Sequence, residues 1–269
     1  MKRPPVITLL TDFGTADYFV AAVKGVILTI SPQVSLVDIT HEVPPQDIEA
    51  GAFTLLNCYR DFPDGTIHVA VVDPGVGSAR RGIVVRAGSH YFVGPDNGLF
   101  SYICDRESTC KVFQLTAEKY FRPEPSASFH GRDVFAPVAA ALSTGVKPDK
   151  FGPRIKDEVR LAPLAPVTDR DGSLRGRIIH IDRFGNCITN FTRSDIPDSD
   201  QVKLLVKRKV VRQFRRFFAD EPDSKTIKAG ANDQLFAIWG SAGFLELSIN
   251  GGSAATLLRV QRGDPVVLS

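Results

Sequence analysis

The chain reads as an α/β protein in two parts: a mostly parallel sheet with helices on both faces, then a small antiparallel β-barrel or sandwich. Three observations predict this. In the first half, short β-branched runs alternate with apolar residues at helical spacing, the pattern of strand–helix–strand units. Around Leu161–Arg175 the texture breaks, with Pro163, Pro166 and an Asp169–Gly172 turn signal. Beyond it, short runs separated by Gly, Asn and Ser take over, as in small antiparallel folds. The expected domains are residues 1–163 and 174–269, with a linker over about 164–173.

Val6–Thr11 is a short apolar, β-branched run and so a buried strand, ending at Asp12-Phe13-Gly14. From Tyr18 to Ile30, Phe19, Val23, Val26, Ile27 and Ile30 recur at helical spacing until Ser31-Pro32 stops them. Val34–Ile39 is the next strand, and Asp47 caps a helix carrying Ile48, Phe53, Leu55 and Leu56. Pro63-Asp64-Gly65 turns the chain into a third buried strand, Thr66–Val72. Gly82–Arg86 and Tyr91–Val93 are further strands, and Gly131–Leu142 is a helix closed by Gly145. In the second half the expected strands are Ile178–Ile181, Val202–Val206, Leu235–Ile238, Leu245–Ile249 and Pro265–Leu268.

With 269 residues, 43% hydrophobic and 23% charged, the chain can bury a full core without metal or disulfide staples. A net charge of +3 is too small to imply nucleic acid. The basic run Lys203–Arg216 reads as a solvated face offset by Asp220, Glu221 and Asp223. None of the four cysteines forms a CxxC pair, so reduced thiols are expected. Cys104 and Cys110 are close enough to bridge in an oxidising compartment. The N-terminus enters a strand without a signal-peptide core, and no run approaches the ~20 apolar residues of a membrane span. A cytoplasmic protein without membrane contact is expected.

In parallel sheets ligands sit at the carboxyl ends of strands, and Asp12 and Asp73 both lie where a strand runs out. The segment Asp73-Pro74-Gly75-Val76-Gly77-Ser78-Ala79-Arg80-Arg81 joins an acid, two glycines that admit close backbone approach, and two fork-shaped cations. Alone it is equally a tight turn with surface arginines. It lacks the Gly-Lys-Ser/Thr of a phosphate-binding loop, which disfavours a nucleoside triphosphate. Phe129-His130-Gly131-Arg132-Asp133 sets a histidine at a helix N-terminus, where positive potential favours neutral imidazole; the competing reading is a structural histidine. Asp12 and Asp17 offer acceptors for ribose hydroxyls or an ammonium, with a helix cap as the alternative for Asp17. Asp182-Arg183-Phe184-Gly185-Asn186 offers an aromatic for purine stacking beside an amide, or simply a hairpin turn. Ser241–Gly252 brings a hydroxyl, Glu246 and backbone near a turn; the plain alternative for Glu246 is an outward-facing strand residue.

Together, Thr11-Asp12-Phe13-Gly14, Asp73-Pro74-Gly75-Val76-Gly77, Phe129-His130-Gly131-Arg132-Asp133 and Asp182-Arg183-Phe184-Gly185-Asn186, in this order, resemble the SAM hydroxide adenosyltransferases. These are adenosine-forming S-adenosyl-L-methionine (SAM) hydrolases related to fluorinase and chlorinase. The resemblance runs from Thr8 to about Pro265. It implies a Rossmann-like first domain, a small β second domain, and a homotrimer with active sites at subunit interfaces. It places catalytic roles on Asp73, Arg80 and His130, with Arg81 an adjacent competitor for the arginine. It implies ribose binding by Asp12 and an amino-acid-end acid at Asp17. Asp182, Phe184, Asn186, Ser241 and Glu246 would hold the methionine and adenine portions, with backbone around Ile249 meeting the adenine edge. Halogenating relatives carry an aromatic where this chain has Asp73 and lack the histidine, so the resemblance implies hydrolysis.

No cofactor and no metal is expected, because a sulfonium is already an activated leaving group and departs neutral. What such a reaction lacks is an aligned, partly deprotonated water, which a guanidinium, a carboxylate and an imidazole can supply. Two rivals stand beside it: a metal-dependent phosphohydrolase built from Asp12, Asp73, His41 and His130, and a non-catalytic SAM- or adenosine-binding protein.

Overall fold

The computed structural model describes residues 4–196, 203–219 and 234–268. The chain divides into two compact units, Met1–Pro163 and Leu164–Ser269. Val202, which opens one expected strand, and Asp220, Glu221 and Asp223 lie outside the described residues.

The first unit contains β1 (Val6–Thr11), α1 (Phe19–Ile30), β2 (Ser35–Thr40), α2 (Ile48–Cys58), β3 (Ile67–Val71), β4 (Gly82–Ala87), β5 (His90–Pro95), α3 (Ser101–Arg106), β6 (Cys110–Gln114), α4 (Ala136–Ser143) and β7 (Arg154–Ile155). Its sheet runs β2-β1-β3-β5-β4-β6-β7. Ile7 and Leu9 of β1 meet Val23 and Ile27 of α1 and Val138 and Ala139 of α4 on one face. On the other face Leu10 approaches Gly51 of α2. Strands covered on both faces are mostly apolar, which is why β1 and β3 read as near-continuous hydrophobic runs, with the buried Thr8 and His68 satisfied by a hydrogen bond to each other at 2.7 Å. As expected, the Asp47 carboxylate caps α2, accepting from the Ala50 amide at 2.9 Å.

The expectation of a mostly parallel sheet needs correction. The β2–β1, β1–β3 and β3–β5 pairs are parallel, but β5–β4, β4–β6 and β6–β7 are antiparallel. The cause is local: only Gly88 and Ser89 separate β4 from β5, and so short a connection closes a hairpin, never a parallel crossover. The expectation of four reduced thiols is also corrected. Cys104 in α3 and Cys110 at the start of β6 are disulfide-bonded, their Cα atoms 5.3 Å apart, while Cys58 and Cys187 are free. The expected helix at Gly131–Leu142 is present but begins as a wider π-helical turn over Gly131–Phe135 before α4.

The topology sets up a site. From β1 the chain crosses to β2 on one side, then returns past β1 to β3 on the other. The β1–β3 junction is therefore where strand order reverses, the place where open α/β sheets bind ligands. Thr11 pairs with Val71 across it, so Asp12 and Asp73 leave the sheet from neighbouring strand ends.

The second unit contains β8 (Val167–Thr168), β9 (Leu174–Ile181), β10 (Cys187–Thr192), β11 (Leu204–Val206), β12 (Lys209–Val211), β13 (Phe214–Arg215), β14 (Leu235–Trp239), β15 (Phe244–Ile249), α5 (Ala254–Leu258) and β16 (Pro265–Leu268). The order is β12-β11-β16-β9-β10-β15-β14-β13, with β8 on β9. All pairs are antiparallel except β13–β14. Phe191, Leu204, Leu245, Leu247 and Val266 lie in its core. The basic run is not wholly a solvated face. Lys207 pairs with Asp264 at 3.1 Å, Lys209 donates to the Leu257 carbonyl, and the Arg215 guanidinium lies 4.2 Å from the Phe236 ring centroid. Long basic stems here cover apolar surface.

Candidate active site

β3 ends at Val71, and Val72 leads Asp73 into a loop that turns back toward β4. Gly75 and Ser78 close that loop: the Ser78 amide and hydroxyl both donate to the Gly75 carbonyl, and the Ser78 hydroxyl accepts from the Arg80 amide. The closure folds Arg80 back over Asp73. Arg80 Nε donates to Asp73 Oδ1 at 2.9 Å, and Nη2 donates to Asp73 Oδ2. The same Nη2 lies 2.9 Å from His130 Nδ1. The guanidinium rests on the Phe135 ring, 5.2 Å from its centroid, with Phe135 fully buried. The Asp73 side chain is 5% exposed and that of Arg80 11%. A carboxylate and guanidinium this dry hold together only when paired in a bidentate fork.

His130 stands at the head of the π turn. Burial and the Arg80 guanidinium hold its imidazole below the ordinary histidine range, against the opposing pull of Asp73 and Asp133. A guanidinium has no acceptor, so Nδ1 must be the bare nitrogen facing Arg80. The proton of the neutral ring then sits on Nε2, and His130 presents a hydrogen-bond donor. The electrostatics match the sequence expectation of neutral imidazole. The principal causes are burial and Arg80 rather than a helix end.

Asp12 leaves β1 half-buried, its Oδ2 accepting from the Gln46 amide at 2.8 Å. The turn is braced by Thr11, whose hydroxyl meets His41 Nδ1 at 2.9 Å and accepts from the Phe13 amide. Asp17 is exposed before α1, and no side chain caps that helix. Its reading as a cap therefore fails. Among the described residues no group of three or more His, Cys, Asp or Glu gathers as metal donors. No three of Asp12, Asp73, His41 and His130 gather in that way.

The second unit carries a cavity of about 740 Å³. Asp182, Phe184, Asn186, Ser241, Glu246 and Ile249, nominated from two separate stretches of sequence, all line it. The β9–β10 turn is the hairpin the sequence allowed. Asp182 Oδ1 accepts from the amides of Phe184 and Asn186, and Oδ2 from the Asn186 side chain. Asp182 is thus both turn staple and cavity wall. Phe184 is 77% exposed at the tip, free to lie against an aromatic ligand. Glu246 stands half-buried on β15. Burial and the nearby Asp182 push its carboxyl above the usual range. A carboxyl perturbed in this way at a cavity wall is a functional-site candidate.

Residues 7–152 match the SAM hydroxide adenosyltransferase N-terminal domain, and residues 176–267 match the C-terminal domain of the same family. The chain belongs to the SAM hydroxide adenosyltransferase family. It is 38% identical to the (R)-S-adenosyl-L-methionine hydrolase of Thermus thermophilus, over 97% of this chain and 98% of that one. It is 35% identical to a protein of the same name from Methanocaldococcus jannaschii, over 97% and 94%. A fluorinase of Nocardia brasiliensis is 28% identical over 98% and 96%. The crystal structure of an uncharacterized conserved protein from Thermotoga maritima superposes with a TM-score of 0.86 at 33% identity, covering 98% of this chain and all of that one.

In this family member the two adjacent arginines turn to different partners. Arg81 turns away to Asp96, with Nε to Oδ2 at 2.7 Å, and to Asp157 at 2.9 Å. Only Arg80 meets Asp73 and His130. Sequence reasoning missed Phe135, the floor beneath Arg80, and Trp239 in the second-unit cavity. Trp239 is the chain's single tryptophan, next to the glycine that opens the Ser241 turn, which was a usable signal.

Proposed function

We propose that the protein hydrolyses SAM to adenosine and L-methionine by in-line attack of water at the ribose C5′. The observation that carries this reading is the convergence of Asp73 and His130, 57 residues apart along the chain (130 − 73), on one guanidinium nitrogen of Arg80. In the reaction a C5′–O bond forms and the C5′–S bond breaks. The electron pair goes to sulfur, which leaves as a neutral thioether, and one proton goes to solvent. Arg80 stabilises the developing hydroxide, which the water's pKa of ~15.7 otherwise forbids near neutral pH. Asp73 orients the guanidinium, takes the water's proton and passes it to solvent. His130, bare at Nδ1 and protonated at Nε2, donates to hold the oxygen in line. Alignment behind C5′ supplies an entropic term of several kcal/mol, up to about 7–11 at best.

Asp12 is assigned to the ribose hydroxyls and Asp17 to the amino-acid end. Asp182, Phe184, Asn186, Ser241, Glu246 and Ile249 are assigned to the methionine and adenine portions. Glu246 suits a positively charged ligand, which SAM is. We read the first unit as Rossmann-like, the second as a small antiparallel barrel, and the enzyme as a cytoplasmic homotrimer with active sites at subunit interfaces. The names of the relatives favour the (R) sulfonium epimer as substrate. Incubation with each epimer, with adenosine and methionine separated by chromatography, tests the function. Equimolar release from the (R) form, unaffected by EDTA, is expected. Binding without release would make the protein a SAM receptor, and 5′-halo-adenosine in halide buffer would make it a halogenase.

A further inference from the structure

His130 directly follows a segment with little regular structure, Arg122–Phe129, yet meets Arg80 at hydrogen-bond distance. Two contacts fix that segment. Asp133, 2% exposed, lies inside the π turn and draws the segment around itself. Its Oδ2 accepts from the Ser126 amide at 2.9 Å, its carbonyl accepts from the Arg122 amide at 2.9 Å, and Arg132 and Arg122 donate to Oδ1 at 2.7 and 3.4 Å. On the other side Gly77 lies against Ala127. A Cβ on Gly77 would stand 2.3 Å from the Ala127 carbonyl oxygen, and the glycine's φ of +78° also disfavours a side chain. The Asp73–Arg80 loop and the histidine segment therefore touch backbone to backbone.

We propose that Asp133 and Gly77 are positioning residues that hold the histidine segment in register with the Asp73–Arg80 loop, so that His130 Nδ1 stays on Arg80. Neither touches the reacting atoms. This rests on the hydrolase reading above only for its kinetic readout. The wide π turn has a function in this scheme: it lets the Asp133 carboxylate reach back to Ser126 while His130 faces the opposite loop. Such turns are frequent at functional sites.

The test uses the full-length protein and the variants Asp133→Asn, Asp133→Glu and Gly77→Ala. Displacement of His130 by about 1 Å should lower kcat about 10- to 100-fold, with KM for SAM within about threefold. Asp133→Glu should recover part of the loss. The charged groups facing His130 are Arg80, Asp73 and Asp133, with Arg132 and Arg122 behind Asp133. Asp133→Asn removes an anion that favours the imidazolium, so the acid limb of kcat should move to lower pH. Gly77→Ala leaves those charges in place and should lower kcat without that shift. A merely structural Asp133 would change melting temperature alone. Nitrogen-15 spectra of His130 give a readout independent of substrate: a bare Nδ1 in the wild type, and a tautomer mixture in Gly77→Ala. A folded Asp133→Asn with kcat within twofold and an unmoved limb overturns the proposal. If that variant does not fold, Gly77→Ala with unchanged kcat and a bare Nδ1 overturns it. Wild-type protein that releases no adenosine refutes the hydrolase reading, and the spectra still decide the positioning.

Discussion

Arg80→Lys isolates the guanidinium fork from its charge. Arg80 donates to both oxygens of Asp73 and to His130 Nδ1, and stacks on Phe135. Lysine keeps the positive charge beside a carboxylate that is 5% exposed, which avoids the ~3–5 kcal/mol of leaving such an ion unpaired. A single ammonium on a flexible stem cannot serve both Asp73 oxygens and the imidazole together. Two of the three bonds are therefore lost. At about 1.5–3 kcal/mol per charge-assisted bond, the loss is about 3–6 kcal/mol if it falls wholly on the transition state. At about 1.36 kcal/mol per tenfold, kcat should fall between about a hundredfold and ten-thousandfold. KM should move less than about threefold, since the bonds lost are to protein rather than to substrate. The assay is steady-state adenosine release by chromatography, with melting temperature as the check on folding. Arg81→Lys is the control, because Arg81 is engaged with Asp96 and Asp157, and its kcat should stay within about threefold. Retention of more than a fifth of the wild-type kcat in Arg80→Lys, or an equal loss in Arg81→Lys, would refute the role assigned to the fork.

Two further outcomes follow from buried titratable groups. Burial and the adjacent His90 push His68 down to about 3. It is enclosed by Thr8 at 2.7 Å, His90 at 3.3 Å, Tyr59, Phe62 and Phe92, with Glu107, Arg60 and Asp64 around His90. The folded pKa lies below the unfolded one, so the unfolded chain binds more protons between about pH 6.5 and 3, and stability is lost as pH falls through that window. At pH 4.5 His68 alone should remove roughly 2–3 kcal/mol relative to pH 7. Urea unfolding of wild type and His68→Gln at both pH values should show this difference, and parallel pH dependence in the two would defeat it. In the second unit, Glu246→Gln removes a carboxyl that burial and Asp182 disfavour as an anion. It should raise the melting temperature at pH 7 while raising KM for SAM about tenfold, roughly 1.4 kcal/mol of lost binding. An unchanged KM would remove Glu246 from the substrate site.

What was legible in the sequence divides along a physical line. Strands that are mostly buried announce themselves as short runs dense in apolar residues, so β1, β3 and β15 were found close to their ends. β6 (Cys-Lys-Val-Phe-Gln) was missed because its Cys110, Lys111 and Gln114 are not buried and interrupt the apolar signal. Strand direction was misjudged for a different reason. A run of residues has the same composition whichever way it pairs, and only the two-residue Gly88-Ser89 connection reveals that β4 and β5 form a hairpin. The basic run misled because composition counts charges without saying that Lys207 meets Asp264 or that Arg215 covers Phe236.

The site was legible in another sense. Spacing separated Asp73 from Arg80 by the length of one glycine-bearing loop, and that loop does bring them together. Spacing from Asp73 favoured Arg80 over Arg81 but gave no physical reason for which of the two turns inward. A strand end decides it, since Arg81 immediately precedes β4 and its carbonyl joins the sheet edge by accepting from the Asp96 amide. Its side chain is thereby committed to Asp96, one residue beyond β5. Arg80 sits one residue earlier, on the part of the loop still free to fold back over Asp73 and the Phe135 ring. A one-residue shift of that loop would exchange the two roles. The catalytic assignment thus depends on the β4–β5 register, Gly82 opposite Pro95, as much as on the presence of arginine.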